Sequence, residues 1–241
     1  MKADVPRPSP RGRPRRLELE QVLEAALAVG LQQLTMAAVA ERLGVGKAVL
    51  YGYVSTREEL VQLATAFASR HHDFPADRGQ PWPTWVVEYA RALFEMLTMK
   101  GELLETWLSG GQSHFVEIDA GEMWLATLTK RGFSGEEALQ LRHAVSHMVI
   151  GAAAAAKRDR TMSDEGKPRA ASVKKALMSR APEEAPLVRQ FLPAFLLEVN
   201  ERNWEYGLFI LLKGVITGRE AAGLENDDTR RSFEELAFQA D

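Results

Sequence analysis

Apolar positions along the first third of the chain recur at helical spacing. Leu19, Val22, Leu23, Ala26 and Leu27 define one face of a helix beginning near Leu17, and Gly30 marks its end. Thr35 is a suitable N-cap for a short second helix carrying Val39, Ala40 and Leu43, which Gly44 stops. Only Gly44, Val45 and Gly46 separate it from a third helix, and two glycines free to take positive φ let adjacent helices cross steeply. A fourth helix starts at Ser55-Thr56-Arg57-Glu58-Glu59, where Ser55 with Glu58, or Thr56 with Glu59, can form a capping box. This order of elements over residues 17–70 predicts a helix-turn-helix domain.

Beyond it, residues 71–83 hold three prolines and a glycine and read as a linker. Helical periodicity then predicts helices over Thr84–Lys100, Glu102–Ser109, Ala120–Arg131, Ser134–Arg158, Glu184–Glu201 and Asn203–Gly218. Asp159–Pro186 is polar and reads as a loop with a turn of helix near Val173–Met178. No alternating strand pattern competes and no internal repeat is present. The expected fold is all-α: a helix-turn-helix domain, a larger helical ligand-binding and dimerisation domain over residues 84–224, and a C-terminal tail over 225–241.

Composition sharpens this. In 241 residues, 46% are hydrophobic, enough for a real core, and there is no cysteine for disulfides, thiolate zinc sites or thiol nucleophiles. No apolar run is long enough to span a membrane and no secretory signal fits, so a cytoplasmic protein is expected. The net charge of -3 is unevenly placed. Residues 1–16 set Lys2, Arg7, Arg11, Arg13, Arg15 and Arg16 against Asp4 alone, giving +5 and leaving -8 for the other 225 residues. Pro6, Pro8, Pro10 and Pro14 deny this arm a helix, so it is expected to be disordered when free and drawn to phosphate.

A helix-turn-helix with a basic arm points to double-stranded DNA. The second helix braces the third so that its exposed face enters the major groove. Lys47, following the Gly46 turn, can reach a guanine edge or a phosphate, and Ala48 and Val49 can touch thymine methyl groups. Tyr51, Tyr53 and Arg57 offer phosphate anchors, and Thr35 opens the bracing helix. In the arm, Pro10-Arg11-Gly12-Arg13-Pro14 is similar to an AT-hook core, whose arginines fit the narrow minor groove of A/T-rich DNA.

The run Thr35-Met36-Ala37-Ala38-Val39-Ala40-Glu41-Arg42-Leu43-Gly44-Val45, followed by Leu50-Tyr51-Gly52-Tyr53-Val54, resembles the DNA-binding domain of the TetR (tetracycline-repressor) family. Gly132-Phe133-Ser134-Gly135-Glu136-Glu137-Ala138 and Trp204-Glu205-Tyr206-Gly207-Leu208 to Gly214 resemble the ligand-binding domain of its tetracycline-repressor-like branch. The resemblance implies an all-helical homodimer in which a small-molecule effector spreads two reading heads and releases a palindromic operator. Gly46 stands where many members carry Ser or Thr, and Gly52 replaces a larger side chain, so fewer direct base contacts are expected and the arm gains importance.

Other features have plainer readings. Leu108-Ser109-Gly110-Gly111-Gln112 spells the signature motif of ATP-binding-cassette ATPases, but without a phosphate loop it reads as a helix end. His143 and His147 lie four apart on a helix without a third ligand, and His71-His72-Asp73 reads as a solvated turn, so neither metal nor cofactor is expected. Phe94, Trp107 and Trp124 are expected to wall a pocket for a flat hydrophobic compound, oriented by Gln112, His114 or His147. Small residues over Ser146–Ala156, and Tyr206, Phe209, Ile210, Lys213 and Ile216 at helical spacing, are expected to form a four-helix dimer interface. The principal reading is a ligand-responsive repressor and not an enzyme; the alternatives are an architectural DNA-binding dimer without ligand response and a helical enzyme.

Overall fold

The computed structural model describes residues 17–99, 101–111, 113–196, 203–225 and 227–238. The expectations on Arg11, Arg13 and Gln112 therefore lie outside the described residues. Every regular element among those described is helical: α1 (Leu19–Val29), α2 (Met36–Leu43), α3 (Lys47–Leu50), α4 (Arg57–Arg70), α5 (Trp82–Met99), α6 (Gly101–Leu108), α7 (His114–Thr129), α8 (Gly135–Asp164), α9 (Arg169–Met178), α10 (Pro186–Gln190), α11 (Leu192–Phe195), α12 (Asn203–Ala221) and α13 (Asp227–Phe238). None of the described helices is long and apolar enough to cross a membrane. The chain divides into two compact units between Ala64 and Thr65, a boundary that falls within α4.

The first unit is built on the predicted apolar stripes. α1 buries Val22, Leu23, Ala25 and Ala26, and packs on α2, which buries Met36, Val39 and Ala40. Thr35 caps α2 by accepting the Ala38 N–H at 3.1 Å. Gly44 ends α2 in the left-handed region at φ 66°, while Gly46 is extended at φ -75°, so the sharp turn uses one glycine and not both. Thr56 accepts the Glu59 N–H at 3.0 Å at the start of α4, and the reciprocal Glu59 carboxylate takes the Ser55 N–H instead of that of Thr56.

The second unit is organised around α5 and α8. Trp85 and Trp124 are fully buried and meet edge to face, and Tyr89 packs against Trp124 with ring centroids 4.9 Å apart. The Trp124 indole N–H donates to the Ala138 carbonyl at 2.7 Å, which satisfies its polar atom inside the core. α6, α7, α12 and α13 surround this pair, with α7 and α12 on α8, and α13 on α5. A capping box of Ser134 and Glu137 opens α8, with both reciprocal bonds formed.

Several boundaries differ from those read in the sequence. α7 starts at His114 instead of Ala120, because its first turns leave Phe115 and Ile118 exposed and so carry no buried stripe. α8 continues past Arg158 to Asp164 and stops where Gly166 adopts φ 71° and Lys167 donates back to Met162. The segment expected as one helix over Glu184–Glu201 is broken into α10 and α11, since Pro193 has no N–H to continue the ladder. The expected tail contains α13, whose Phe233 is buried and meets Phe209.

The stretch read as a linker is pinned down. Trp85 donates to the Pro75 carbonyl, and Arg131 bonds the Gln80 carbonyl at 3.0 Å and the Asp77 carboxylate at 2.6 Å. The Arg131 bond, followed by the Gly79 N–H, holds the Asp77 carboxyl at about 2 against its usual 3.8. A carboxyl whose pKa is depressed on folding stabilises the fold above its unfolded value and ceases to do so as pH falls through the folded one. Asp77 therefore contributes fully above pH 4, and its contribution disappears between about 4 and 2. Thermal melts across this window should show Asp77→Asn losing stability at neutral pH and flattening the acid limb relative to the parent. Parallel curves would mean that the ion pair does not persist in solution.

Candidate functional site

Two surfaces can do chemistry, one in each unit. In the first, α3 is a short platform anchored by Leu50, which is fully buried. Anchoring through Leu50 leaves Gly46, Lys47, Ala48 and Val49 exposed in a row, with Tyr51 exposed just beyond. One cation, one methyl and one branched apolar group next to a phenol is a set suited to base edges, thymine methyls and a phosphate. A Cβ built on Gly46 meets nothing within 4 Å, whereas one on Gly52 would approach the Val49 carbonyl at 3.2 Å. Sterics therefore accept a side chain at Gly46 more readily than at Gly52.

Two residues read as phosphate anchors have partners inside the unit. The Tyr53 hydroxyl donates to the Leu17 carbonyl, tying the end of the α3 turn to the entry of α1. Arg57 donates from Nε to the Leu34 carbonyl at 2.7 Å and from Nη2 to the Leu31 carbonyl at 3.3 Å, across the α1–α2 connection. Its Nη1 faces Glu58 at 3.8 Å. Both side chains brace the frame that presents α3. Arg57→Met should lower the unfolding free energy of the first unit by about 1 kcal/mol, the size of charge-assisted bonds at a half-exposed site, and leave the salt dependence of DNA binding unchanged. In a dimer, a fall of about two in the slope of log K against log salt would restore a phosphate role.

In the second unit, a cavity of about 280 Å³ is walled by Phe74, Tyr89, Leu93, Met96, Trp107 and Met123. Arg70, His72, Glu117, Asp119 and Arg142 supply its polar groups. Arg70 and Asp119 pair at 3.0 Å and are both well exposed, and Glu117 faces His114 at 3.5 Å. His72 Nε2 lies 2.8 Å from the Ala92 carbonyl. Apolar walls with a few fixed polar groups are what a small-molecule site requires.

Of the residues expected to line a ligand site, Trp107 does. Phe94 is buried and stacks on Trp204 at 5.2 Å, and Trp124 belongs to the core described above. His114 and His147 are exposed and lie outside the cavity lining. Their histidine character guided that expectation, but burial goes to Arg142 instead. The signal for Arg142 is present in the sequence: it falls on the stripe Ala138, Arg142, Val145 and Val149, a charged residue at a core position of α8. The His143 and His147 rings lie 6.4 Å apart, and no cluster of three metal-ligating side chains occurs among the described residues. Leu108 closes α6 and Gly110 turns the chain at φ 73°, so the ATPase-like motif is a helix end.

Comparison with known proteins agrees with both units. Residues 22–64 match the bacterial regulatory proteins of the tetR family, and residues 74–218 match the tetracyclin repressor-like C-terminal domain. The class D tetracycline repressor protein of Escherichia coli is 28% identical over 208 residues, covering 83% of this chain and 89% of that protein. Among solved structures, the Streptomyces coelicolor TetR family protein ActR in complex with actinorhodin shares the fold at a TM-score of 0.70, with 22% identity over 85% of this chain and 97% of that one. A single-residue variant of TetR from Acinetobacter baumannii AYE, in complex with minocycline, aligns at a TM-score of 0.52 and 22% identity, over 63% of this chain and 88% of that one. An exposed α3 on a braced frame and an aromatic-walled cavity in a second helical unit are thus joined in a chain that belongs to the tetR family of bacterial regulatory proteins and is a transcriptional regulator, not an enzyme.

Proposed function

We propose that this regulator is a cytoplasmic repressor that binds a palindromic operator as a homodimer and is released by a small, largely apolar effector held in the second unit. The observation that carries the reading is the coexistence of the exposed Lys47–Val49 face over buried Leu50 with a lined cavity in the same chain. Lys47, Ala48, Val49 and Tyr51 read the major groove, Thr35 and Gly46 set the geometry of the turn, and Arg11 and Arg13 occupy the minor groove. Trp107, Tyr89 and the thioethers of Met96 and Met123 enclose the effector. The solved relatives bound to actinorhodin and to minocycline support a polycyclic effector.

The dimer reading rests on α12, where Tyr206 is 73% and Ile210 is 56% exposed one turn apart on one face of the helix. Phe209, Lys213 and Ile216 line a groove there with α13 residues. α8 contributes His143, His147 and Gly151, all exposed, and it packs on α12 at Met148 and Gly207. Two helices from each protomer make a four-helix interface whose two-fold symmetry passes to the operator. Ile210→Glu should raise the dimer dissociation constant by about a hundredfold, the effect of a buried unpaired charge, as read by light scattering on the eluting protein. An unchanged dimer would place the interface elsewhere.

Operator selection from a random library, followed by footprinting, tests the whole reading. A footprint with dyad symmetry, centred on half-sites about one helical turn apart, is expected. A footprint lacking that symmetry would overturn it.

A further inference from the structure

The chemical class of the effector is written into the burial of one arginine. Four charged residues are buried among those described: Arg142, Asp159, Glu205 and Arg219. The fold neutralises three of them internally. Asp159 pairs with Arg158 at 2.8 Å, Glu205 with Arg91 at 2.6 Å, and Arg219 with Glu225 at 3.2 Å. Arg142 is 8% exposed, lines the cavity and has no ion pair among the described residues, and its buried Nε–H has no acceptor. An unpaired buried cation is costly, so its retention at a core position of α8 calls for a counterion from outside the chain.

The surrounding groups agree. Glu117 and Asp119, the carboxylates that also line the cavity, face His114 and Arg70 respectively. Tyr89, 3% exposed, accepts a hydrogen bond from the Arg142 guanidinium. Burial pushes the Tyr89 phenol up despite the pull of Arg142, so it keeps its proton and can offer it to an incoming oxygen. Phe74, Trp107 and the thioethers of Met96 and Met123 supply flat, polarizable walls for a ring system.

Resting on the reading that this cavity is the effector site, we infer that the effector is an aromatic acid whose carboxylate is the counterion of Arg142, with the Tyr89 hydroxyl as second donor. Arginine suits this role because its planar fork matches a carboxylate, and charge-assisted bonds to a buried guanidinium discriminate between an anion and its neutral isostere.

The test uses the full chain and two probes of one shape, anthraquinone-2-carboxylate and anthraquinone-2-carboxamide, titrated calorimetrically. The parent protein should bind the acid about thirtyfold more tightly than the amide. Arg142→Met should abolish that preference while leaving amide binding in place, Arg142→Lys should retain part of it, and Tyr89→Phe should reduce it a few-fold. Without ligand, Arg142→Met should melt no lower than the parent, since it removes an unpaired charge. Equal binding of both probes, binding of neither, a preference that survives Arg142→Met, or a lower melting temperature for that variant would each overturn the inference. Operator retention with the same probes separates the two readings. Release by acid and amide alike keeps the effector site and removes the acid, whereas tight acid binding without release keeps the acid and removes the effector role.

Discussion

Glu225→Ala should cost about 3–5 kcal/mol of stability in the second unit, a large part of the whole for a domain held by roughly 5–15 kcal/mol. The Glu225 carboxylate accepts from the Trp82 indole at 2.7 Å, from the Thr229 hydroxyl at 2.8 Å and from Arg219 Nε at 3.2 Å. The Arg219 and Glu225 side chains are 6% and 8% exposed. Arg219 also lies over the Phe133 ring at 3.8 Å and donates to the carbonyls of Arg131, Gly132 and Leu224. Phe133 in turn meets Trp82 edge to face. One carboxylate thus latches the start of α5, the α7–α8 turn, the end of α12 and the entry to α13. Its removal leaves the buried Arg219 without its counterion and the Trp82 indole N–H without its acceptor, which is why the expected loss exceeds that of a surface pair.

Urea unfolding followed by tryptophan fluorescence isolates this effect, because all five tryptophans, at 82, 85, 107, 124 and 204, lie in the second unit. The double replacement Arg219→Met with Glu225→Met should recover much of the loss, since it removes charge and countercharge together. A loss below about 1 kcal/mol for Glu225→Ala would show the cluster to be hydrated in solution and the latch to be weak.

The latch is half legible in the sequence. Gly132-Phe133-Ser134 and the capping box announce the start of α8, but nothing in local periodicity links Trp82 to Glu225, which are 143 residues apart. The same contrast runs through the molecule. Elements with a buried stripe and a local cap, such as α1, α2 and the first turns of α8, are readable because their signals lie within a few residues. α13 and the first turns of α7 are not, because they bury little and take their place from contacts distant in sequence. At Pro193 the apolar periodicity runs on unbroken, yet a single missing N–H divides the helix.

For the sites, residue type is a better guide to which side chains α3 exposes than to which side chains line the cavity. Lys47, Ala48 and Val49 are exposed because Leu50 is the anchor of its turn, a relation visible in four consecutive residues. Tyr53 and Arg57 show the same chemistry in sequence, yet their partners are backbone carbonyls at Leu17, Leu31 and Leu34, which no pattern of side chains reveals. Large aromatics suggest a pocket wherever they occur, but Trp124 and Phe94 fill the core and Trp107 lines the cavity. A charged residue on a buried stripe, Arg142, is the more informative sign.

Arg11→Ala with Arg13→Ala should weaken operator binding about a thousandfold when the flanks are A/T-rich, and only about ten- to thirtyfold when they are G/C-rich. The need for these residues follows from the charge of the unit they precede. From Leu17 to Ala64, Arg42, Lys47 and Arg57 stand against Glu18, Glu20, Glu24, Glu41, Glu58 and Glu59, so the reading unit is itself acidic. Arg57 is moreover engaged with the backbone, which leaves little cation on the unit to meet phosphate. In a dimer the double replacement removes four arginines, and about 1 kcal/mol for each gives the thousandfold on a narrow minor groove. Electrostatic attraction to the backbone acts on any flank, so its loss alone gives the smaller figure and lowers the slope of log K against log salt by up to about four. Binding titrations on operators with matched cores and exchanged flanks separate the two contributions. A loss equal on both flanks would make the arm a source of charge alone, and the reading of sequence would then fall wholly to the exposed face of α3.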